Sequence, residues 1–379
     1  MLRNSTTKAR IDMAEIGPNT RLRVSPFYEA TIQEGVTAFS PYNSMLMPVS
    51  FGDPDAEYDR LMNGVSQWDV SVERQVEING PDAARLVQML SVRDLSGIEV
   101  GKGKYVPMCD HRGVLINDPV VLKHQDGSFW LSIGDNNILM WARSIAAERG
   151  MNVDINEPDV SPMAVQGPKA EDVVASVFGD WVRALKYFWF APAEINGIPL
   201  TIQRSGYSKQ GGFEIYLQDG TRGSELWNII KEAGQAWDIG PGNPNPIERI
   251  ESGLLSYGGD TDDQTNPFEV RLGKYVDLHL DDEVVGIQAL RKIKAAGIKR
   301  QQLGLVMDTP DRRPGHAIWY TLEQGEQSVG HMTNGAWSPR AQSMIGFALV
   351  GSELSVGDRV NVKRGAFNDP ATLCDLPFF

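Results

Sequence analysis

Two carboxylates stand out because the residues around them would bury them. Glu214 follows a pair of glycines and belongs to the otherwise apolar segment 213–217. Asp118 is enclosed by the apolar run 114–122. A buried carboxylate without a partner is costly, so each is expected to pair with another group or to face a ligand. For Glu214 the local pattern leaves a third arrangement open, an edge strand that turns the side chain to water.

The elements that position these carboxylates are predicted from hydrophobic periodicity. Residues 198–202 form an apolar strand, a polar, glycine-rich loop follows, and alternation resumes at 213–217. Glycine in such a loop permits positive φ and lets the backbone approach another molecule closely. Asp118 lies in a predicted hairpin that spans residues 105–122.

Two stretches are rich in aromatic side chains. Residues 185–190 read Leu-Lys-Tyr-Phe-Trp-Phe, which favours a strand that buries half of its rings in the core. The same rings suit another role, because a sulfonium or quaternary ammonium group has no hydrogen-bond donor and binds to aromatic faces. Residues 26–47 carry further aromatic side chains, which either wrap a domain or wall a pocket.

The composition limits the classes of function. The chain has 379 residues and a formal net charge of −13, so we expect no nucleic-acid partner. No apolar run is long enough for a membrane helix and the polar start shows no secretory signal, which predicts a cytoplasmic protein with no membrane partner. Cys109, Cys374 and five scattered histidines have no metal-ligand spacing, so no metal is expected. The glycine patterns of nicotinamide-nucleotide and P-loop sites are missing.

The length predicts two or three domains. Residues 80–83, Gly-Pro-Asp-Ala, and 166–170, Gln-Gly-Pro-Lys-Ala, each join a predicted strand to a predicted helix. This similarity indicates a pseudo-repeat of two related α+β units. From residue 302 onward, short strands separated by glycine-marked turns predict a small β barrel. Residues 1–20 are predicted to form a flexible arm.

Five separated motifs resemble those of the glycine cleavage T protein (aminomethyltransferase) family. They are the Arg-Ser-Gly-Tyr-Ser-Lys-Gln-Gly-Gly-Phe-Glu-Ile segment at 204–215, the turns at 80–83 and 166–170, and the segments 247–260 and 329–339. Within that family the chain is most similar to the tetrahydrofolate-dependent dimethylsulfoniopropionate (DMSP) demethylases. The resemblance implies an α+β fold, with two related units forming a folate-binding region over residues 21–290 and a C-terminal β-barrel domain over 291–379.

The resemblance also implies roles for individual residues. Asp118 is expected beside the folate nitrogens where carbon is transferred, and it is predicted to be catalytic together with Tyr207. The expected folate ligands are Glu214, Arg249, Tyr105 and Trp337. The expected ligands of the methyl donor are Trp189, Phe188, Tyr207 and Lys209.

Together these features predict a methyltransferase that moves a methyl group from DMSP to N5 of tetrahydrofolate. The products are methylmercaptopropionate and 5-methyltetrahydrofolate. Tetrahydrofolate is expected as the methyl acceptor, without flavin or nicotinamide, and a homodimer is left open.

Three alternatives stay open. Ser44, Gly134 and Asn137 differ from the residues usual in the DMSP enzymes, so the donor could be glycine betaine, another onium acid or a methoxy compound. A glycine-cleavage-type aminomethyltransferase is disfavoured by Asn117, which stands where those enzymes have the first of two aspartates. A folate-binding protein without activity would keep Glu214 and Arg249 but would not need an aromatic box.

Overall fold

A computed structural model describes residues 21–308, 319–364 and 367–379. The predicted arm over residues 1–20 lies outside the described residues. Within these ranges no helix combines the length and apolar character that crossing a membrane requires. The helices are α1 (Tyr28–Gln33), α2 (Pro54–Asn63), α3 (Ala83–Leu90), α4 (Ile138–Glu148), α5 (Ala170–Phe178), α6 (Gly223–Gly234), α7 (Pro246–Glu251) and α8 (Ile287–Ala296).

Two mixed α+β units precede the barrel. Their strands, in chain order, are β1 (Ala38–Tyr42), β2 (Met45–Ser50), β3 (Ser66–Asp69), β4 (Gln75–Asn79), β5 (Lys102–Tyr105), β6 (Met108–Cys109), β7 (Leu115–Asn117), β8 (Val120–Lys123), β9 (Phe129–Ser132), β10 (Asp154–Asn156), β11 (Ser161–Gln166), β12 (Phe190–Ile195), β13 (Ile198–Gln203), β14 (Gly212–Leu217) and β15 (Gly240–Gly242). The predicted hairpin over 105–122 is formed by two nested pairs, β5 with β8 and β6 with β7.

The first unit is a five-stranded antiparallel sheet in the order β10-β4-β9-β8-β5. Helices α3 and α4 pack on the sheet because this contact removes their apolar faces from water. The core they enclose includes Ile78, Leu86, Val121, Leu131 and Ala142.

The second unit is a six-stranded sheet in the order β12-β13-β14-β11-β3-β15. Helices α5 and α6 cover it, and its core includes Val165, Val173, Ile202, Phe213 and Trp227. β14 has a neighbour on each side, so the edge-strand arrangement considered for Glu214 is wrong.

The two units share a strand–turn–helix element, as the pseudo-repeat predicts. β4 leads through Gly80 into α3, and β11 leads through Gly167 into α5. Both glycines have positive φ, 112° and 121°. A Cβ at Gly80 would lie 2.8 Å from the carbonyl oxygen of Asn152, and one at Gly167 would lie 2.6 Å from that of Gly64. Only glycine permits this backbone approach at either turn.

A six-stranded closed barrel follows, in the order β16-β19-β18-β17-β20-β21, which confirms the predicted C-terminal barrel. Its core includes Leu305, Met332, Val350, Val362 and Leu373. Residues 309–318 lie outside the described part, so the predicted strand at 318–320 is described only from residue 319 onward. The strands are β16 (Arg300–Met307), β17 (Tyr320–Gln324), β18 (Gln327–Ser338), β19 (Ser343–Gly351), β20 (Arg359–Arg364) and β21 (Phe367–Cys374).

The aromatic segment 185–190 is not a strand, so that prediction is wrong. Phe188 has a φ of 64°, which breaks the extended backbone, and β12 begins only at Phe190. The Trp189 amide donates to the Lys186 carbonyl oxygen and closes a turn. Tyr187 is 62% exposed rather than part of the core.

Candidate active site

A cavity of about 750 Å³ lies where the two sheets, helix α7 and the loop after it meet. Its walls include the predicted residues Asp118, Tyr207, Glu214 and Arg249. This volume is in the range of small-molecule and cofactor sites. The described residues contain no group of three or more histidine, cysteine, aspartate or glutamate side chains that could hold a metal ion.

Asp118 lies in the connection between β7 and β8 and projects into the cavity. The Tyr105 hydroxyl donates a hydrogen bond of 2.8 Å to its Oδ2 atom. Burial raises the pKa of Asp118 to about 7, while the hydrogen bond from Tyr105 acts in the opposite direction. A carboxylate with this pKa exchanges a proton near neutral pH, as a general base must.

Asn117, the neighbour of Asp118, has a structural role. Its side-chain Nδ2 donates to the Gly134 carbonyl oxygen at 3.0 Å, and its Oδ1 accepts from the Gly134 amide at 2.9 Å. An aspartate could not donate the first of these bonds. Asn117 therefore fixes the strand ends that carry Asp118, and one carboxylate remains at this point of the cavity.

Glu214 lies near the start of β14 with its carboxylate buried at the cavity wall. Its Oε2 accepts hydrogen bonds from the Ser205 hydroxyl at 2.6 Å and the Tyr216 hydroxyl at 2.9 Å. Within the described residues its Oε1 has no hydrogen bond and no cation pairs with the carboxylate. Burial raises the pKa of Glu214, and the two hydroxyls oppose that rise. The carboxylate is thus held in place with one oxygen left for a ligand.

The loop before Glu214 is shaped by contacts with Gln166. The Gln166 side chain donates to the Ser205 carbonyl oxygen and accepts from the Ser208 hydroxyl. Gly206 and Gly212 pass so close that a Cβ on either would overlap Gln166. This packing holds Tyr207 at the cavity, where its hydroxyl donates to the Leu255 carbonyl oxygen at 2.7 Å.

Arg249 connects the cavity to the barrel through Asp260. Its Nη1 lies 2.9 Å from Asp260 Oδ2, and both side chains are buried. The other oxygen of Asp260 accepts from Thr333 at 2.8 Å and Asn334 at 2.6 Å, both on β18. Burial acts against the charge of Arg249, but the negative charge of Asp260 outweighs it and raises the pKa of the guanidinium.

Besides Arg249, three cations line the same cavity: Lys209, Arg271 and Lys274. All three are exposed residues, and none forms an ion pair with a described carboxylate. Burial of part of the side chain lowers the pKa of Lys209, and the charges of Arg271 and Lys274 add to this effect. This cationic group is available to an anionic part of a ligand.

Comparison with known proteins identifies the family. The GCVT N-terminal domain matches residues 27–279, and the glycine cleavage T-protein C-terminal barrel domain matches residues 300–379. The chain belongs to the glycine cleavage T-protein family.

Relatives within the glycine cleavage T-protein family carry two different names. The chain is 40% identical to the dimethylsulfoniopropionate demethylase of Ruegeria pomeroyi, over 89% of this chain and 92% of that protein. It is 28% identical to an aminomethyltransferase of Caldanaerobacter subterraneus, over 90% and 91% of the two chains. The solved aminomethyltransferase T of Bartonella henselae has the same fold, with a TM-score of 0.82, 20% identity and coverage of 94% and 98%.

In this member of the glycine cleavage T-protein family, most of the residues predicted for the site share one cavity. Tyr105, Phe188 and Lys209 line it with the four residues named above. Trp189 and Trp337 are not among its lining residues. The Trp189 ring instead contacts the Lys102 ammonium at 5.3 Å, and Trp337 packs against the barrel core.

Five side chains of the cavity wall had no individual prediction, although two of them belong to the aromatic stretches 26–47 and 185–190. Four are tyrosines, and the fifth is a carboxylate near Glu214. Periodicity gave no signal for the carboxylate, because a polar residue is expected between the inward-facing valines around it. The residues are Tyr42, Tyr187, Tyr257, Tyr275 and Glu73.

Of the three positions that depart from the DMSP-demethylase pattern, Gly134 lines the cavity, whereas Ser44 and Asn137 do not. Ser44 is exposed in the turn between β1 and β2. Asn137 is the N-cap of α4, where its side chain accepts from the Met140 amide at 3.1 Å. Ser44 and Asn137 therefore give no reason to expect a different methyl donor. Gly134 does bear on the site, because a Cβ there would lie 3.1 Å from Asp118 Oδ1.

Proposed function

We propose that the protein transfers a methyl group from DMSP to N5 of tetrahydrofolate, giving methylmercaptopropionate and 5-methyltetrahydrofolate. The observation that carries this proposal is the cavity itself, in which Glu214 and Asp118 share one space with several aromatic rings. The 40% identity to a DMSP demethylase over most of both chains supports the same donor.

Glu214 is suited to the pterin ring of the folate. The 2-amino group and the N3–H of a pterin are adjacent donors, and a carboxylate accepts both at once. Ser205 and Tyr216 orient the Glu214 carboxylate before the ligand arrives. Arg249 would contact the same folate from the side of helix α7.

The sulfonium of DMSP would be held by ring faces. The Tyr187 and Phe188 rings contact each other at the cavity wall, with centroids 4.3 Å apart and planes tilted by 39°, and Tyr207 lines the same cavity. Cation–π attraction holds an onium group that cannot form a hydrogen bond. The carboxylate of DMSP would face Lys209 or its neighbouring cations.

The chemistry asks little of the protein beyond placement. The N5 lone pair attacks the methyl carbon, the carbon–sulfur bond breaks, and sulfur leaves as a neutral thioether that keeps the bonding electrons. N5 then carries a positive charge and loses its proton to the Asp118 carboxylate. Holding both substrates in line is expected to supply most of the rate enhancement.

The reaction also bears on the cofactors and location. Methyl transfer from a sulfonium involves no net redox change, so the proposal includes no flavin or nicotinamide. The leaving thioether is neutral and needs no Lewis acid, so the proposal includes no metal. We further propose a cytoplasmic protein without nucleic-acid or membrane partners, with the folate-binding region over 21–290 and the barrel domain over 291–379. A homodimer stays a prediction.

The test is an assay of the purified protein with tetrahydrofolate and either DMSP or glycine betaine, following 5-methyltetrahydrofolate. We expect product with DMSP and none with glycine betaine. Product only with glycine betaine, or bound tetrahydrofolate without product from DMSP, would refute the DMSP assignment while leaving the folate site in place.

A further inference from the structure

We propose that Glu73 is a second pterin-binding carboxylate, and that it makes the cavity selective for the tetrahydro form of the ring over the oxidised form. This inference rests on the proposed folate function and adds a specificity-determining residue to it. Glu73 lies in the connection between β3 and β4, and it lines the same cavity as Glu214 and Asp118.

The position of Glu73 places it beside both predicted carboxylates. β3 pairs with β11, and β11 pairs with β14, which carries Glu214. The strand β9, which pairs with β4, ends at Ser132, another residue of the cavity wall. Glu73 therefore shares with Glu214 and Asp118 the cavity that a folate ring would occupy.

No described cation forms an ion pair with Glu73, Glu214 or Asp118. The charges of Glu214 and Asp118 add to the effect of burial and raise the pKa of Glu73, whereas a hydrogen bond with Ser132 opposes the rise. Neighbouring carboxylates that lack cations are unfavourable while they are ionised, and hydrogen-bond donors of a ligand relieve that cost. The cavity is therefore built for a ligand rich in N–H groups.

The edges of the pterin ring decide which contact Glu73 can make. With Glu214 on the N3–H and one 2-amino hydrogen, one long edge presents the C4 carbonyl oxygen, which a carboxylate would repel. The other long edge presents the second 2-amino hydrogen, N1 and N8. In the tetrahydro ring N8 carries a hydrogen and donates, so Glu73 fits against this edge.

The oxidised ring gives the opposite contact. In folic acid N8 has no hydrogen and directs a lone pair outward, so it would face the Glu73 carboxylate oxygen. In its ionised form Glu73 thus attracts one oxidation state of the ring and repels the other. Glu214 does not discriminate, because N3–H and the 2-amino group are donors in both forms.

The experiment measures dissociation constants for 5-methyltetrahydrofolate, which keeps N8–H, and for folic acid by titration calorimetry. The proteins are wild type, E73Q, E73L and the control E194Q, which removes an exposed charge on β12. We expect the preference for the reduced ligand to fall about tenfold in E73L, the loss of one hydrogen bond to a charged group. We expect a smaller fall in E73Q, because glutamine keeps an acceptor, and none in E194Q.

The inference is overturned if both Glu73 variants weaken the two ligands by the same factor, or leave both unchanged, while wild type binds and demethylates. Absence of reduced-folate binding by wild type would remove the proposed function as well. E73Q is nearly isosteric with the native residue, so thermal melting of both variants shows whether a loss reflects the contact or the fold.

Discussion

At the scale of single residues, the site depends on carboxylates whose surroundings favour the neutral form. Asp118 is the clearest case, because it is buried yet accepts a hydrogen bond from Tyr105. With a pKa of about 7 it is largely protonated below neutral pH and ionised above it. Only the ionised form can take the proton that N5 releases.

The pH profile of kcat/KM tests this role. We expect the rate to rise with pH through about 7 as Asp118 ionises. Asp118→Asn should lower kcat roughly hundredfold and remove this rise, the usual cost of losing a positioned base. Tyr105→Phe should move the rise to higher pH, because it removes the hydrogen bond that lowers the pKa of Asp118. A normal profile in Asp118→Asn would show that another group takes the proton.

The residues that flank each carboxylate determined whether it could be recognised from the sequence. Glu214 and Asp118 were predictable because each interrupts an apolar segment, where a carboxylate needs a reason. Glu73 was not, since it occupies an ordinary polar position in an alternating segment. Trp189, predicted at the methyl donor, does not line the cavity, whereas Tyr187 does. The left-handed backbone at Phe188 decides this, and it is held by hydrogen bonds to distant segments that local propensity does not reveal.

At the scale of elements, the loop between β13 and β14 positions the site. Its glycines allow the chain to lie against Gln166 and return to the sheet in register. The sequence predicted this strand–loop–strand element, because periodicity and glycine content are local properties. The sequence could not predict that Tyr257 and Tyr275 line the cavity. Both lie between helix α7 and helix α8, in a long and mostly irregular segment.

Two neighbouring glycines of this loop provide a matched comparison. Both have positive φ, but a Cβ at Gly212 would lie 2.3 Å from the Val165 carbonyl oxygen, whereas one at Gly211 meets nothing within 4 Å. Gly211→Ala should therefore cost about 1 kcal/mol of unfolding free energy through backbone conformation alone. Gly212→Ala should cost about 3 kcal/mol, because overlap adds to the strain. Equal costs in chemical denaturation would contradict this account of the loop.

At the scale of the whole molecule, the barrel contributes to the site through Arg249 and Asp260. The buried pair joins the cavity wall to Thr333 and Asn334 on β18, so the domain contact and the ligand site are coupled. The sequence predicted a barrel and placed Arg249 at the folate. The sequence did not predict this connection, because Thr333 and Asn334 are 73 and 74 residues away from Asp260 along the chain.

Removal of Asp260 should affect stability and folate binding together. Asp260→Ala leaves the buried Arg249 unpaired, which typically costs about 3–5 kcal/mol of unfolding free energy. The substitution also releases the Arg249 side chain from its fixed position at the cavity wall, so the dissociation constant for tetrahydrofolate should rise. Asp180→Ala is the control, because that carboxylate is 91% exposed and its partner Arg183 keeps two other carboxylates. An Asp260→Ala protein that melts and binds folate like the control would show that the barrel does not support the site.

The most direct test of the whole account follows the methyl group itself. DMSP labelled with ¹³C in its methyl groups is mixed with tetrahydrofolate and excess protein, and the products are read by nuclear magnetic resonance. We predict one label in 5-methyltetrahydrofolate for each methylmercaptopropionate formed, and no label in methanol or formaldehyde. Label in either of those one-carbon products, or no transfer while tetrahydrofolate stays bound, would contradict direct methyl transfer in this cavity.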